Sequence, residues 1–381
     1  MKKKQKIIVA LSGGVDSSVV ATILKKKGFE VIGLFMRNWH DASLTKDNNC
    51  PWIEDSNYAM EVCQQLDIPF NIIDLSKQYK EKIVDYMTRE YQEGKTPNPD
   101  ILCNREIKFD VFLNYALSLN ADLIATGHYC IKTKENNKYQ LKQGHDKLKD
   151  QSYFLCQINQ KQLEKVIFPI GHLKKNEVRL IAKENNLITA TKKDSQGLCF
   201  VGKIKLPVFL QNKLKTKIGD IIEISKNQKI YQKKSRHSIN YNRIDGNKIG
   251  EHNGSHFYTI GQRKGLNIGG SQKPLFVISN DVQNNIVFVG MGENHPGLFR
   301  SYLQIRKNDI HWLQLQYDLA EGQSANYLVR IRHRQPLQKA TLKMGKLYLE
   351  IKFETPQRAI ASGQFAAWYK GNELIGSGPI D

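Results

Sequence analysis

Two cysteines stand where a thiol could react. Cys103 lies in the run Thr96-Pro97-Asn98-Pro99-Asp100-Ile101-Leu102-Cys103-Asn104. Prolines fix φ and lower the entropy of holding such a loop in one shape. A helix expected to begin near Arg105 would set its positive end beside Cys103, with Arg105 and Lys108 adding charge. Positive surroundings favour the thiolate, which is the reactive form. Cys199 lies in Lys192-Lys193-Asp194-Ser195-Gln196-Gly197-Leu198-Cys199-Phe200, again among cations and beside a flexible glycine. Cys50, Cys63, Cys130 and Cys156 lie in plainer stretches and read as small buried hydrophobes. No C-x-x-C pair occurs, which argues against a structural zinc site.

A second group could hold an anion. Ser12-Gly13-Gly14-Val15-Asp16-Ser17-Ser18 falls between an apolar run, 7–11, and a helical pattern, 17–27. Glycines let backbone N–H groups approach a ligand, and the helix end adds positive potential. The Gly-Lys-Ser/Thr ending of a Walker loop is missing, so the loop brings no lysine to a β or γ phosphate. It is not a G-x-G-x-x-G fingerprint either.

The elements that must position these residues alternate at first. Strand-like runs at 7–11, 29–36, 70–75 and 121–126 interleave with helical patterns at 17–27, 55–66, 79–91 and 105–119. Such alternation predicts a doubly wound parallel sheet, which binds ligands beyond the carboxyl ends of its strands. After about residue 205, short β-like runs dominate at 220–224, 256–260, 276–279, 286–289, 327–332 and 346–353. They suggest small antiparallel sheets or a barrel. Boundaries are placed near 206 and 273, giving domains 1–205, 206–272 and 273–381. The segment 225–248, with Lys226, Lys229, Lys233, Lys234, Arg236, Arg243 and Lys248 against Asp245, reads as a solvated loop. The alternative is an added arm that contacts phosphates.

The chain has 57 basic and 37 acidic residues, a net charge of +20. That balance attracts polyanions, nucleic acid above all. No apolar run approaches the roughly 18 residues of a membrane span. The basic start is followed by an apolar stretch too short for a signal-peptide core, so a cytoplasmic protein is expected.

The glycine loop resembles the PP-loop ATP pyrophosphatases, whose signature S-G-G-x-D-S matches Ser12 to Ser17. Taken with 33–36, 96–104, 125–129, 150–155, 193–200 and 259–266, it is similar to the bacterial tRNA-specific 2-thiouridylase family from end to end. The main departure is the longer 225–248 region.

The resemblance implies a Rossmann-like α/β sheet of the adenine nucleotide alpha hydrolase type, a small mainly β central domain and a C-terminal β-barrel that binds tRNA. It implies ATP contacts from Ala10, Leu11, Ser12, Gly13, Gly14, Val15, Asp16, Ser17, Met36 and Gly127, with Mg²⁺ offsetting charge. Asn98, Pro99 and Asp100 would meet the target base, Asp100 being the candidate proton-transfer group. His128, Lys149, Asp150, Gln151, Arg332, His333 and Gln364 would touch tRNA, with His333 standing where relatives carry tyrosine. Cys199 would carry sulfur as a persulfide, and Cys103 would attack, with a transient Cys103–Cys199 disulfide. The implied reaction adenylates O2 of the wobble uridine of Lys, Glu and Gln tRNAs. It ends in 2-thiouridine, AMP and pyrophosphate, the sulfur coming from a cysteine desulfurase or a relay protein. A lysidine-synthetase-type enzyme shares the glycine loop but needs no cysteine pair. A non-catalytic RNA-binding protein could hold ATP as a structural ligand.

Overall fold

In the computed structural model, the structure describes residues 4–38, 51–194, 210, 214–232 and 239–381. Cys50 and Cys199 lie outside the described residues, as do Lys233, Lys234 and Arg236.

Apolar runs of β-branched residues build the first sheet. Its strands are β1 (Lys6–Leu11), β2 (Glu30–Arg37), β3 (Phe70–Asp74), β4 (Leu123–Ala125) and β7 (Val166–Ile167), in the order β3-β2-β1-β4-β7. All neighbours are parallel, with Ala10 opposite Leu34 and Val9 opposite Ala125. The expected α/β class is therefore observed. The chain winds outward from β1 to β3, then returns to lay β4 on the other side of β1. That reversal is a switch point, where such sheets open a crevice. Helices α1 (Val15–Lys26) and α2 (Pro51–Gln65) pack on this sheet.

Two long helical stretches follow, over 76–92 and 99–118. Each contains a widened stretch with π-type bonding, at Lys80–Val84 and Cys103–Val111. The second helix starts earlier than expected. Asn98 caps it by accepting from the Ile101 N–H at 3.2 Å, and Pro99 occupies its first turn. Both are ordinary helix-start residues. Cys103 therefore lies inside the helix, a turn beyond its start, and not in a loop ahead of it.

An unforeseen hairpin leaves the first domain. β5 (Cys130–Glu135) and β6 (Lys138–Gln143) are joined by Asn136 and Asn137, both at positive φ. Asparagine tolerates that region, and two such residues make a tight hairpin turn. β6 then pairs with the last strand of the chain, Leu141 facing Leu374.

The central sheet contains β8 (Gly219–Glu223), β9 (Asn247–His252), β10 (Leu275–Asp281) and β11 (Ile286–Met291), in the order β10-β11-β8-β9. The boundary expected near 273 is thus corrected: β10 and β11 belong with β8, because Ile286–Val289 pairs with Asp220–Glu223. The β-like run 256–260 is not a strand. It forms a short 3-10 turn at Ser255–Phe257 between the positive-φ residues Gly254 and Gly261. The 225–248 segment, in its described part, is more than a solvated loop. Tyr231 and Tyr241 share a 3.1 Å hydroxyl contact and pack on His295 and Phe288. Lys248 pairs with Asp220 at 2.8 Å, and Arg243 pairs with the same carboxylate at 2.5 Å.

The C-terminal unit is an antiparallel β structure. β12 (Phe299–Arg306), β13 (His311–Trp312), β14 (Ser324–Arg330), β15 (Gln338–Met344), β16 (Tyr348–Arg358), β17 (Phe365–Lys370) and β18 (Glu373–Pro379) join β5 and β6 in one nine-stranded sheet. Trp368, Ile351 and Ile375 lie in its core.

Candidate active site

The glycine loop connects β1 to α1 at the switch point. Gly14 is the N-cap of α1, and Gly13 adopts φ +70°. A Cβ at Gly13 would meet the Asp55 carbonyl oxygen at 2.1 Å, so only glycine fits. Ser17 and Ser18 hydroxyls donate to the Gly14 carbonyl at 3.1 and 2.9 Å. The Ser12 N–H donates to Ser17 Oγ at 3.2 Å. Ala10, Leu11 and Val15 are buried, so only their backbone can serve a ligand. Met36 lies near the end of β2, beside β1. Gly127 follows β4 and closes on the loop, its hypothetical Cβ 3.1 Å from the Ser17 nitrogen. The residues expected to hold ATP are thus gathered around one end of the sheet.

Sequence reasoning named Asp16, Lys149, Lys192 and Asp194 but missed Lys175 and the way these charges pair. Asp16 accepts from the Tyr129 hydroxyl at 2.7 Å and from Lys175 Nζ at 2.7 Å. Lys192 Nζ donates to the Gly13 carbonyl at 3.1 Å and pairs with Asp55 at 2.7 Å. Asp194 receives Lys149 at 2.7 Å, Arg179 at 2.8 Å and Lys175 at 2.9 Å. Burial works to raise the Asp194 carboxyl, but hydrogen bonds from Lys149 and Lys175 outweigh it and bring it down to about 2. The phenol of Tyr129 is pushed up by burial and by the Asp16 charge. No short spacing joins 16, 175 and 194, so only the fold could reveal this group.

The Cys103 helix is tied to the loop through aromatic rings. His128, next to Gly127, packs on Phe109 at 5.8 Å and on Phe168 at 6.1 Å. Its Nδ1 lies 2.7 Å from Thr126 Oγ1. Burial, reinforced by the Lys108 charge, holds the imidazole well below its usual value. Cys103 itself is buried in the main core cluster. Among the other described thiols, burial pushes Cys63 and Cys156 up to about 12 and Cys130 well above its usual value. That agrees with their reading as inert core residues.

The stretch before Cys103 is a three-domain junction. Gln364 Nε2 donates to the Thr96 carbonyl at 2.8 Å, and the Asn98 amide donates to Gln364 Oε1 at 3.4 Å. The Thr96 N–H donates to the Ser362 carbonyl at 2.8 Å. From the central domain, Thr259 meets the Thr96 hydroxyl at 3.2 Å, and Asn280 donates to the Gly94 carbonyl at 3.2 Å. Asn98, Pro99 and Asp100 sit at the head of the helix that holds Cys103.

Several residues expected to touch RNA are occupied within the chain. The Asp150 side chain is 1% exposed and pairs with Arg330 at 2.5 Å. It also accepts from the Gly144 and Ser152 N–H groups at 3.0 and 3.1 Å. Burial pushes this carboxyl up, and the Arg330 charge and hydrogen bond more than reverse the shift. His128 is likewise buried, at 8% exposure. Gln151 accepts from the Tyr129 N–H at 3.1 Å. His333 lies 2.8 Å from the Asp150 carbonyl and stacks on Phe154 at 4.3 Å. Arg332 donates to the Ala359 carbonyl at 2.6 Å. The sequence could not tell a residue that faces RNA from one that binds a neighbouring domain.

Among the described residues, no group of three histidine, cysteine or carboxylate side chains could hold a metal ion.

A parallel sheet with a serine-glycine loop at its switch point, followed by two β domains, defines a nucleotide-binding catalytic domain joined to accessory β domains. Comparison agrees domain by domain. Residues 5–203 match a tRNA methyl transferase HUP domain, 208–291 a tRNA methyl transferase PRC-barrel domain, and 303–380 an aminomethyltransferase beta-barrel domain. The tRNA-specific 2-thiouridylase MnmA of Flavobacterium johnsoniae is 54% identical, with 99% of this chain and 100% of that protein covered. Those of Karelsulcia muelleri and Bacillus subtilis are 50% and 42% identical, each covering 99% of this chain. The chain belongs to the tRNA-specific 2-thiouridylase MnmA family.

Proposed function

We propose that this chain is a tRNA-uridine 2-sulfurtransferase that uses the glycine loop for ATP and Cys103 with Cys199 for sulfur transfer. A uridine C2 carbonyl is a poor electrophile, and its oxygen leaves only when activated. Attack of O2 on the α-phosphorus forms a C2–O–AMP intermediate and expels pyrophosphate. Backbone N–H groups at the start of α1 would hold the departing phosphates. Mg²⁺, when bound, would offset their charge.

The terminal sulfur of a Cys199 persulfide then attacks C2, and AMP leaves with the original oxygen. Cys103 attacks the Cys199 sulfur next. The bond between that sulfur and the transferred one breaks, leaving 2-thiouridine and a Cys103–Cys199 disulfide. A cellular dithiol returns the disulfide to two thiols. A persulfide-bearing protein, either a cysteine desulfurase or a relay protein, would recharge Cys199. This cycle suits a reducing cytoplasm, and no described helix is long and apolar enough to cross a membrane.

The observation that carries the assignment is the junction at Thr96 to Asn98, where both accessory domains grip the segment leading to Cys103. RNA bound across those domains would act directly on that segment. A flipped wobble uridine is the expected guest, since loop bases unstack at low cost. Cys103 is buried in this conformation, so RNA binding must open its surroundings.

The test is mass analysis of tRNA nucleosides after incubation with ATP, Mg²⁺ and a persulfide source. One sulfur-for-oxygen exchange at uridine is expected from the unaltered chain and none from Cys199→Ser. Unchanged activity in Cys199→Ser would overturn the role of that thiol and return the lysidine-type alternative.

A further inference from the structure

The glycine loop contains no lysine, and the basic residues of α1 stand in its last turn, at Lys25 and Lys26. Two lysines reach the loop from much later in the chain. Lys192 is fixed on three sides, by the Gly13 carbonyl, by Asp55 and by the Tyr58 ring 3.8 Å away. Lys175 is held differently. Its ammonium touches both Asp16 oxygens, at 2.7 and 2.8 Å, and Asp194 at 2.9 Å. Its side chain is 13% exposed and reaches the loop from the first residue of the helix Lys175–Glu184.

On the reading of this loop as the ATP site, we infer that Lys175 is the phosphate-contacting cation the loop lacks, and that Asp194 competes with the nucleotide for it. Asp16 is the second residue of α1, so phosphates seated on the N-terminal N–H groups lie beside it. A triphosphate brings more negative charge to Lys175 than Asp194 does. Asp194 loses little when Lys175 turns away, because Lys149 and Arg179 remain on it. Lys175 therefore has a near partner to leave at low cost. Lys192 has none, since moving it would free a buried carbonyl and a carboxylate together.

The two ends of this ion pair should respond with opposite signs. Binding of ATP and of AMP to the full chain, with Mg²⁺, is measured by calorimetry. Lys175→Met should weaken ATP by about tenfold or more and AMP by less than about twofold, with Lys175→Arg recovering most of the loss. Asp194→Asn should tighten ATP by a few-fold, since it removes the competitor. Equal losses for ATP and AMP in Lys175→Met would overturn the inference, as would weaker ATP binding in Asp194→Asn. If Lys175→Met does not fold, the Asp194→Asn result decides alone. An unaltered chain that binds no ATP would instead remove the nucleotide reading itself.

Discussion

Gln364 of the C-terminal barrel bonds the backbone of Thr96 at 2.8 Å, across 268 positions of sequence. The same amide meets Asn98, the cap of the Cys103 helix. The barrel thereby touches the residue that caps that helix. Gln364→Ala should lower kcat for thiolation by about tenfold while leaving ATP affinity unchanged, since it loosens the junction and not the glycine loop. The lost hydrogen bond should cost about 1 kcal/mol, read from urea unfolding.

Gly363 tests the same junction more severely. It sits at φ +84°, and a Cβ there would lie 3.0 Å from the Thr96 nitrogen. Gly363→Ala should therefore hurt turnover more than Gln364→Ala does. Equal or milder loss, in steady-state kinetics with tRNA, would mean the junction does not control Cys103.

Breaking the Asp150–Arg330 pair should be strongly destabilising. Removing one partner of a buried pair leaves an uncompensated charge and costs about 3–5 kcal/mol. Asp150→Ala should lower the melting temperature sharply, with tRNA affinity per folded molecule unchanged. A variant of normal stability with weak tRNA binding would restore Asp150 as an RNA contact.

His128 should make the fold sensitive to mild acid. Its folded pKa is depressed by burial, so below the ordinary value near 6.5 the unfolded chain binds a proton that the folded chain refuses. Stability from this group is fully present above that value and falls as pH drops below it. Replacing His128 with Gln should flatten the melting profile between about pH 7 and 5. An unchanged slope would place the acid sensitivity elsewhere, for instance at the buried His311 or His295.

Thiol labelling offers a readout of opening. Iodoacetamide at neutral pH should spare Cys63, Cys130 and Cys156, whose thiols are buried and held protonated. Adding tRNA and ATP should raise labelling at Cys103 alone among these four, seen by peptide mass spectrometry. Constant protection of Cys103 through turnover would argue against its attack on Cys199.

The parallel sheet was legible because its strands and helices are contiguous runs with clear periods. So was the glycine loop, whose seven residues are adjacent in the chain. The start of the Cys103 helix was misread although its signals were present, an asparagine followed by proline. The convergence of Lys175 and Asp194 on the loop was invisible for a different reason. Each is one charged residue among many, and only the packing of the Lys175–Glu184 helix on α1 brings them to Asp16. The burial of Asp150 was unreadable too, because nothing nearby in sequence announces Arg330 as its partner. The Asn136-Asn137 turn carried a readable hairpin signal, but no local pattern could say which strand β6 would join.

That hairpin imposes an order on biosynthesis. β6 leaves the ribosome long before β18, the strand that covers its edge through Leu141 and Leu374. Until β18 emerges, the nascent protein carries an open strand edge able to pair with a neighbouring chain. Cutting the gene at a domain boundary would make that temporary exposure permanent, so the fragments should clump when expressed apart and recover when produced together.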